Sequence, residues 1–297
     1  MMLDCEYLSP VSREEALQIL ADSEGTHNLR IFAGGTDLLP RIRNKKEDKP
    51  TIVDISHLGL DYIREAEDYI VVGAMATLSA VESFFQKQKQ PLSLLSISSG
   101  KVGCWQTRNL ATLMGNVCVG LTSADAAITL LTLEASIKAV SLRGERIIPI
   151  EEFFIAPRNT AIRPDELATE ILIPKQEAFS GRYFGSDFIK VGRRKELFIS
   201  VLSIGCVLLL ENDGLIVKAR LAGGVLAPVP VRLYKTEEFL AGKKASEEVL
   251  KVASDIMLSD ISARDSIRGS KRYRESAGAA IMRRAVLNSV NASGRIV

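Results

Sequence analysis

The sequence predicts an α+β fold in two domains, and three observations carry that reading. Helix and strand signals alternate through the first 55 residues, an Asp213-Gly214 turn joins two long apolar runs in the second half, and the tail beyond residue 245 turns helical. At 297 residues the chain is long for one compact domain and comfortable for two.

Taken in order, Ser12 and Glu15 match a capping box, and Ala16, Leu17 and Leu20 then share one helical face. Apolar runs at 29–33 and 51–55 read as strands around a short charged turn, which makes a small βαβ-like unit of about 55 residues. Residues 69–72 read as a strand, and Thr77 caps a helix carrying Leu78, Val81, Phe84 and Phe85. Ser123-Ala-Asp125 opens another helix with Ile128, Leu130, Leu131 and Leu133. Residues 136–142 alternate as a strand ending in an Arg143-Gly144-Glu145 turn, and 168–173 form a further strand stopped by Pro174. The polar stretch 175–185 reads as a domain boundary. Two strands follow, at 199–210 and 215–221, joined by Asn212-Asp213-Gly214, residues that tolerate positive φ. Helices close the chain at 245–258 and from Ser270, where Tyr273, Ala277 and Ile281 recur at i+4.

Composition narrows the function. Hydrophobic residues make up 46% and charged residues 25%, as in an ordinary globular protein. Lys and Arg number 38 against 36 Asp and Glu, so the net charge of +2 offers no electrostatic basis for a nucleic-acid or anionic-membrane partner. The four cysteines lack CxxC pairing and there are two histidines, so these spacings alone build neither a zinc site nor an iron–sulfur cluster. The opening MMLDCEYLSP has no apolar run behind a basic lead, so the expectation is a cytoplasmic chain with reduced thiols. The most apolar stretch, 198–210, is short and interrupted by Ser200, Ser203 and Gly205, which favours a buried strand over a membrane span.

No GxSxG, HExxH or GxxxxGK[ST] motif is present. What remains are two glycine-bearing loops at strand ends, Ala33-Gly-Gly-Thr-Asp37 and Thr112-Leu-Met-Gly-Asn-Val117. Glycine lets a backbone take positive φ and bring successive N–H groups to anionic oxygens, so such loops suit a diphosphate. Thr36, Thr112 and Asn116 add neutral donors, while Asp37 is expected to turn away and bond nearby backbone amides. Taken singly, each loop is also what a plain tight turn looks like.

Together they belong to a wider resemblance. Ile31-Phe-Ala-Gly-Gly-Thr-Asp-Leu-Leu-Pro40, Gln106-Thr-Arg-Asn-Leu-Ala-Thr-Leu-Met-Gly-Asn116 and Ser123-Ala-Asp125 resemble the FAD-binding medium subunits of the molybdenum hydroxylases, the family of carbon monoxide, xanthine and nicotinate dehydrogenases. The likeness continues through Thr160-Ala-Ile-Arg-Pro164, Lys190-Val-Gly-Arg-Arg-Lys195, Leu221-Ala-Gly-Gly-Val-Leu-Ala-Pro228 and Ile267-Arg-Gly-Ser-Lys-Arg-Tyr-Arg274, in order along nearly the whole chain.

The resemblance implies an α+β chain. A two-lobed FAD-binding domain of the PCMH (vanillyl-alcohol-oxidase-like) type spans residues 1–175, with lobes of about 1–55 and 56–175. An α+β domain of antiparallel strands and helices follows at 183–290. It further implies that Arg30, Ile31, Phe32, Ala33, Gly34, Gly35, Thr36 and Asp37 form a first diphosphate loop, and that Thr112, Leu113, Met114, Gly115 and Asn116 form a second. Asp125 matches a family residue that contacts the cofactor, and Leu167 and Ala168 match an apolar contact near the adenine. Lys190 matches a lysine among the family's FAD contacts, its other reading being a solvated strand lysine. Val102 sits where relatives can carry a larger group beside the nucleotide.

Two departures stand out. Relatives resemble Thr-x-Gly-Gly-Asn, whereas Met114 here replaces a glycine, and a side chain there forbids positive φ or blocks close approach unless it points into the protein. Trp105 stands where relatives carry small residues or proline, and reads either as a stacking group or as a packing or interface residue. One branch of the family inserts a cysteine-bearing cluster loop in this subunit; no such insertion is seen, so no cluster and no metal site are expected on this chain.

The resemblance implies an oxidoreductase subunit that passes electrons from [2Fe-2S] clusters of a small partner subunit through FAD to NAD or another acceptor. Molybdopterin would sit on a large partner subunit, in a xanthine-dehydrogenase-like heterotrimer acting on an N-heterocycle or, as the next alternatives, on carbon monoxide or an aldehyde. No residue of this chain is assigned a catalytic role. Two alternatives stand beside it: a flavin-free scaffold subunit, motivated by Met114, and a stand-alone flavoprotein oxidoreductase.

Overall fold

The computed structural model describes residues 5–23, 28–44, 49–175, 182–194 and 198–293. It opens with a three-stranded parallel sheet in the order β1-β3-β2, built from β1 (Glu6–Leu8), β2 (Leu29–Phe32) and β3 (Thr51–Asp54). Helices α1 (Arg13–Asp22) and α2 (Leu38–Arg43) fill its connections. The Ser12 hydroxyl caps α1 by accepting from the Glu15 amide at 3.1 Å. The Glu15 carboxylate reaches back to the amide of Val11 at 2.8 Å, one residue further than a capping box requires.

A five-stranded antiparallel sheet follows, in the order β4-β5-β10-β6-β7. Its strands are β4 (Ile63–Glu65), β5 (Tyr69–Gly73), β6 (Ser136–Ser141), β7 (Gly144–Pro149) and β10 (Leu167–Pro174). The strand β10 is central and largely buried, which its near-continuous apolar composition reflects. Between β5 and β6 lie α3 (Leu78–Phe85), α4 (Leu94–Gly100), α5 (Trp105–Arg108), α6 (Leu113–Cys118) and α7 (Asp125–Thr132). The short helix α8 (Ile150–Phe153) and the hairpin β8 (Phe154–Ala156)–β9 (Asn159–Thr160) connect β7 to β10.

The rest of the chain forms an antiparallel sheet in the order β11-β12-β13-β14. Its strands are β11 (Arg182–Val191), β12 (Leu202–Glu211), β13 (Ile216–Gly224) and β14 (Val231–Arg232), followed by α9 (Tyr234–Leu240), α10 (Glu247–Met257) and α11 (Lys271–Ala292). Gly214, at φ +82°, closes the β12–β13 hairpin as the Asp-Gly pair predicts.

All eight residues of α7 are buried, and the helix packs on β12 and β13 as well as on α4 and α6. Both faces of the four-stranded sheet are therefore covered. Val207 and Ala222 join the core that runs back through α7 to the five-stranded sheet. Ile204, Cys206, Leu208 and Leu210 face the core beneath α9, α10 and α11. A strand buried on both sides reads as an unbroken apolar run, which is why 202–210 shows no alternation.

Two readings change. The strand expected at 199–210 begins at Leu202. The polar stretch 175–185 runs into a ten-residue strand, β11, that the sequence pattern hides; residues 176–181 lie outside the described residues. Gly185, one of the residues that made this stretch look like a boundary, is a packing device. A Cβ there would lie 1.8 Å from the Ser289 carbonyl oxygen of α11.

Candidate functional site

A cleft of about 670 Å³ lies between the parallel sheet and the five-stranded sheet, within the range of about 300–1,000 Å³ usual for ligand sites. Its walls come from the turn after β2, the end of α5, α6, the segment before α7, the β8–β9 turn and the start of β10. Of the residues singled out from the sequence, Arg30, Ile31, Ala33, Gly34, Gly35, Thr36, Asp37, Val102, Thr112, Met114, Gly115, Asn116, Leu167 and Ala168 line it. Phe32, Leu113, Asp125 and Lys190 are absent from its lining.

The first loop owes its shape to two glycines that act differently. Gly34 permits contact between segments far apart in sequence: a Cβ there would fall 2.0 Å from the carbonyl oxygen of Leu110, just ahead of the second loop. Gly35 supplies the turn, at φ +66°, with the Phe32 ring filling the space its Cβ would need. Asp37 does not bond backbone amides as expected. Its carboxylate makes no helix-capping bond and instead accepts from Arg158 Nη1 at 3.2 Å, with Arg41 Nη1 at 3.9 Å. An Asp in an αR conformation at this position holds its carboxylate clear of the first-turn amides, so the nearby guanidiniums take it.

The second loop is anchored by an antiparallel bridge between Thr77 and Thr112, with Leu78 N–H donating to the Ala111 carbonyl at 2.8 Å and Leu113 N–H to the Ala76 carbonyl at 3.1 Å. The Thr112 hydroxyl caps α6 by accepting from the Gly115 amide at 3.0 Å. Met114 is 4% exposed, sits in the first turn of α6 and belongs to the main hydrophobic core. No positive φ is imposed there, so the position does not demand glycine. Asn116 lines the cleft, and its Oδ1 is buried without a hydrogen-bond partner among the described residues.

The remaining wall is apolar or neutralised. Leu167 and Ala168 are buried at the start of β10, just before a bulge against β6. Burial pushes the Cys118 thiol up to about 12, so it presents a neutral surface. Glu166 is gripped by Arg146 through Nε at 2.7 Å and Nη2 at 2.9 Å, and its carboxylate also accepts from the Arg163 amide at 2.8 Å. Burial opposes its ionisation, but those donors outweigh it and hold its pKa below the ordinary value.

Asp125 and Lys190 meet each other instead. Lys190 Nζ lies 2.6 Å from Asp125 Oδ2, with side chains 3% and 5% exposed, so Lys190 is not a solvated strand lysine. The ammonium also donates to the Lys101 carbonyl at 2.7 Å, and the Ser200 hydroxyl donates to Asp125 at 2.6 Å. The pair joins the start of α7 to β11, one residue along from the cleft-lining Ala124. Trp105 is 64% exposed at the start of α5, with Leu110 exposed beyond it.

Residues 3–176 match the family model described as the FAD binding domain in molybdopterin dehydrogenase, and residues 187–289 match that of the CO dehydrogenase flavoprotein C-terminal domain. The chain belongs to the FAD-binding subunits of the molybdenum hydroxylases. The nicotinate dehydrogenase FAD-subunit of Eubacterium barkeri is 30% identical, with 92% of each chain covered. The xanthine dehydrogenase FAD-binding subunit of Escherichia coli O157:H7 is also 30% identical, over 94% of each. A chain of the carbon monoxide dehydrogenase of Hydrogenophaga pseudoflava superposes with a TM-score of 0.90 over 97% of this chain and 98% of that one; at 24% identity this likeness shows the α+β fold.

As a family member the chain is an oxidoreductase subunit whose cofactor is FAD, with molybdenum and iron–sulfur groups carried by other subunits. The residues present fit that cofactor: an unpartnered buried acceptor at Asn116 that suits a ligand hydroxyl or N–H, two cleft carboxylates already met by arginines, and apolar walls at Leu167 and Ala168. Sequence reasoning missed Arg41, Arg158 and Glu166 on the cleft lining. No periodicity or motif marks Arg158. Its place depends on a contact with a residue 121 positions away.

Proposed function

We propose that the chain is the FAD-carrying electron-transfer subunit of a molybdenum hydroxylase. It would take electrons from the [2Fe-2S] clusters of a small partner subunit and deliver them to NAD or another acceptor, with molybdopterin on a large partner subunit. The observation that carries the proposal is the cleft lined jointly by the Gly34–Gly35 turn and the Thr112-capped start of α6, about 80 residues apart in sequence. Bound FAD would supply chemistry that couples one- and two-electron steps.

The chain's own residues would bind and orient. Arg30, Ile31, Phe32, Ala33, Gly34, Gly35, Thr36 and Asp37 form the first proposed diphosphate segment, and Thr112, Leu113, Met114, Gly115 and Asn116 the second. Val102, Leu167 and Ala168 supply apolar contact, and the Asp125–Lys190 pair borders the site. Phe32 and Leu113 support their loops from behind, since neither lines the cleft. The binding domain is assigned to 1–175, with lobes of about 1–55 and 56–175, and the C-terminal domain to 183–290. The relatives that are nicotinate and xanthine dehydrogenase subunits favour an N-heterocyclic substrate for the complex, which would be a cytoplasmic heterotrimer. No helix among the described residues is long and apolar enough to cross a membrane.

Purification tests the reading. The full chain is expected to carry the visible flavin absorbance, to release FAD on denaturation and to show diaphorase-like activity alone. Colourless protein that takes up no added FAD overturns it, and turnover of an N-heterocycle by the chain alone points to a stand-alone flavoprotein.

A further inference from the structure

Arg158, in the β8–β9 turn, lines the same cleft as the first loop and meets it: its Nη1 lies 3.2 Å from the Asp37 carboxylate. Its backbone is fixed by its N–H donating a hydrogen bond to the Gly120 carbonyl at 2.8 Å, in a left-handed conformation at φ 61°. A Cβ on Gly120 would come within 3.1 Å of Arg158 Cα, so the two segments press together. The side chain is thus launched toward the cleft from a rigid point.

The charges around it leave room for an anion. Asp37 is the one carboxylate on the described first loop, and two guanidiniums approach it, Arg158 at 3.2 Å and Arg41 at 3.9 Å. Glu166, the other acid on the described lining, is already held by Arg146. A guanidinium has five N–H donors in a planar fork, and among the described residues Arg158 directs one nitrogen to Asp37. The others remain for a ligand, and paired phosphate oxygens suit that fork.

We propose that Arg158 is a binding residue for the diphosphate of the dinucleotide, pre-positioned by Asp37. The proposal deepens the flavin reading and rests on it. Asp37, the awkward acid of a phosphate loop, then has a use: it aims an arginine rather than repelling the ligand.

The test compares FAD with riboflavin, which lacks the phosphates, by flavin fluorescence on the full apo chain, with circular dichroism and thermal melting as the check on folding. Arg158→Gln is expected to weaken FAD about tenfold or more, the effect of losing a charge-assisted hydrogen bond, while riboflavin affinity stays within about twofold. Arg158→Lys keeps the charge without the fork and is expected to fall between; it decides the question if Arg158→Gln melts early. Asp37→Asn is expected to weaken FAD less than Arg158→Gln, and the double variant to match Arg158→Gln alone. A folded Arg158→Gln that binds FAD within about twofold of the native chain overturns the proposal, as does equal weakening of FAD and riboflavin, which makes Arg158 a strap between segments. A native chain that binds neither ligand overturns the flavin reading itself.

Discussion

Lys190 of β11 and Asp125 of α7 form an ion pair at 2.6 Å, shut away from solvent where the C-terminal sheet meets the FAD-binding part of the chain. Burial pushes the Asp125 carboxyl up, while the Lys190 ammonium, the Ser200 hydroxyl and the nearby Lys101 pull it back. The pair is embedded in further contacts between the same two parts. Thr122 accepts from the Val225 amide through its hydroxyl at 3.0 Å and donates to the Ala227 carbonyl at 2.9 Å.

Such a pair is expected to show its value when broken on one side. Lys190→Met strands a buried carboxylate and is expected to cost about 3–5 kcal/mol in urea unfolding. Adding Asp125→Asn to that variant should recover part of the loss, because the stranded charge is gone. A single variant as stable as the native chain would show that solvent reaches Asp125.

Gly34 and Gly115 separate two kinds of glycine in the proposed diphosphate loops. Gly34→Ala puts a Cβ 2.0 Å from the backbone oxygen of Leu110, which no side-chain rotation relieves, so the two loops must part. The expected outcome is a loss of about 1–3 kcal/mol and severalfold less FAD in the purified chain. Gly115→Ala meets only the Thr112 hydroxyl, at 2.9 Å, inside a helix that favours alanine. It should therefore cost less stability than Gly34→Ala, as measured by urea unfolding.

These contrasts mark what the sequence made legible. Capping at Ser12 and Thr77 and the Asp-Gly hairpin at 213–214 are local devices, written in adjacent residues, and they could be read directly. The strand β11 could not, because Gly185 answers to α11, about a hundred residues on. The turn at Gly34-Gly35 was legible as a loop, whereas the stretch read as a second loop is Thr112 capping the first turns of helix α6 (Leu113–Cys118). Arg158 was not legible, since nothing near it in sequence announces Asp37. Lys190 lay between: the resemblance singled it out, and only the fold supplied Asp125 as its partner.

Glu166 gives the cleft wall a pH signature. Its folded pKa lies below the ordinary 4.5, so it stabilises the fold at pH above about that value, and the contribution is lost as pH falls through the depressed folded pKa. Arg146→Gln removes both guanidinium bonds while burial remains, which moves the folded pKa upward. The variant is expected to be less stable at neutral pH and to lose less on acidification, so the two stability curves converge toward low pH. Parallel curves between neutral pH and pH of about 3 would exclude the ion pair as their cause.

Met114 is where a sequence departure and the structure disagree most usefully. A methionine in place of a glycine suggested a loop unable to hold flavin, and that reading expects Met114→Gly to raise FAD content. In the fold the residue takes ordinary helical φ, and its side chain is core. Truncation to glycine removes a buried side chain and weakens the first turn of α6, together costing about 3–6 kcal/mol. The expected result is an unstable chain with no more FAD than the native one, while Met114→Leu, which conserves volume, stays within about 1.5 kcal/mol and keeps its flavin. A rise in FAD content on Met114→Gly would mean that the thioether, and not its absence, keeps the loop from the cofactor.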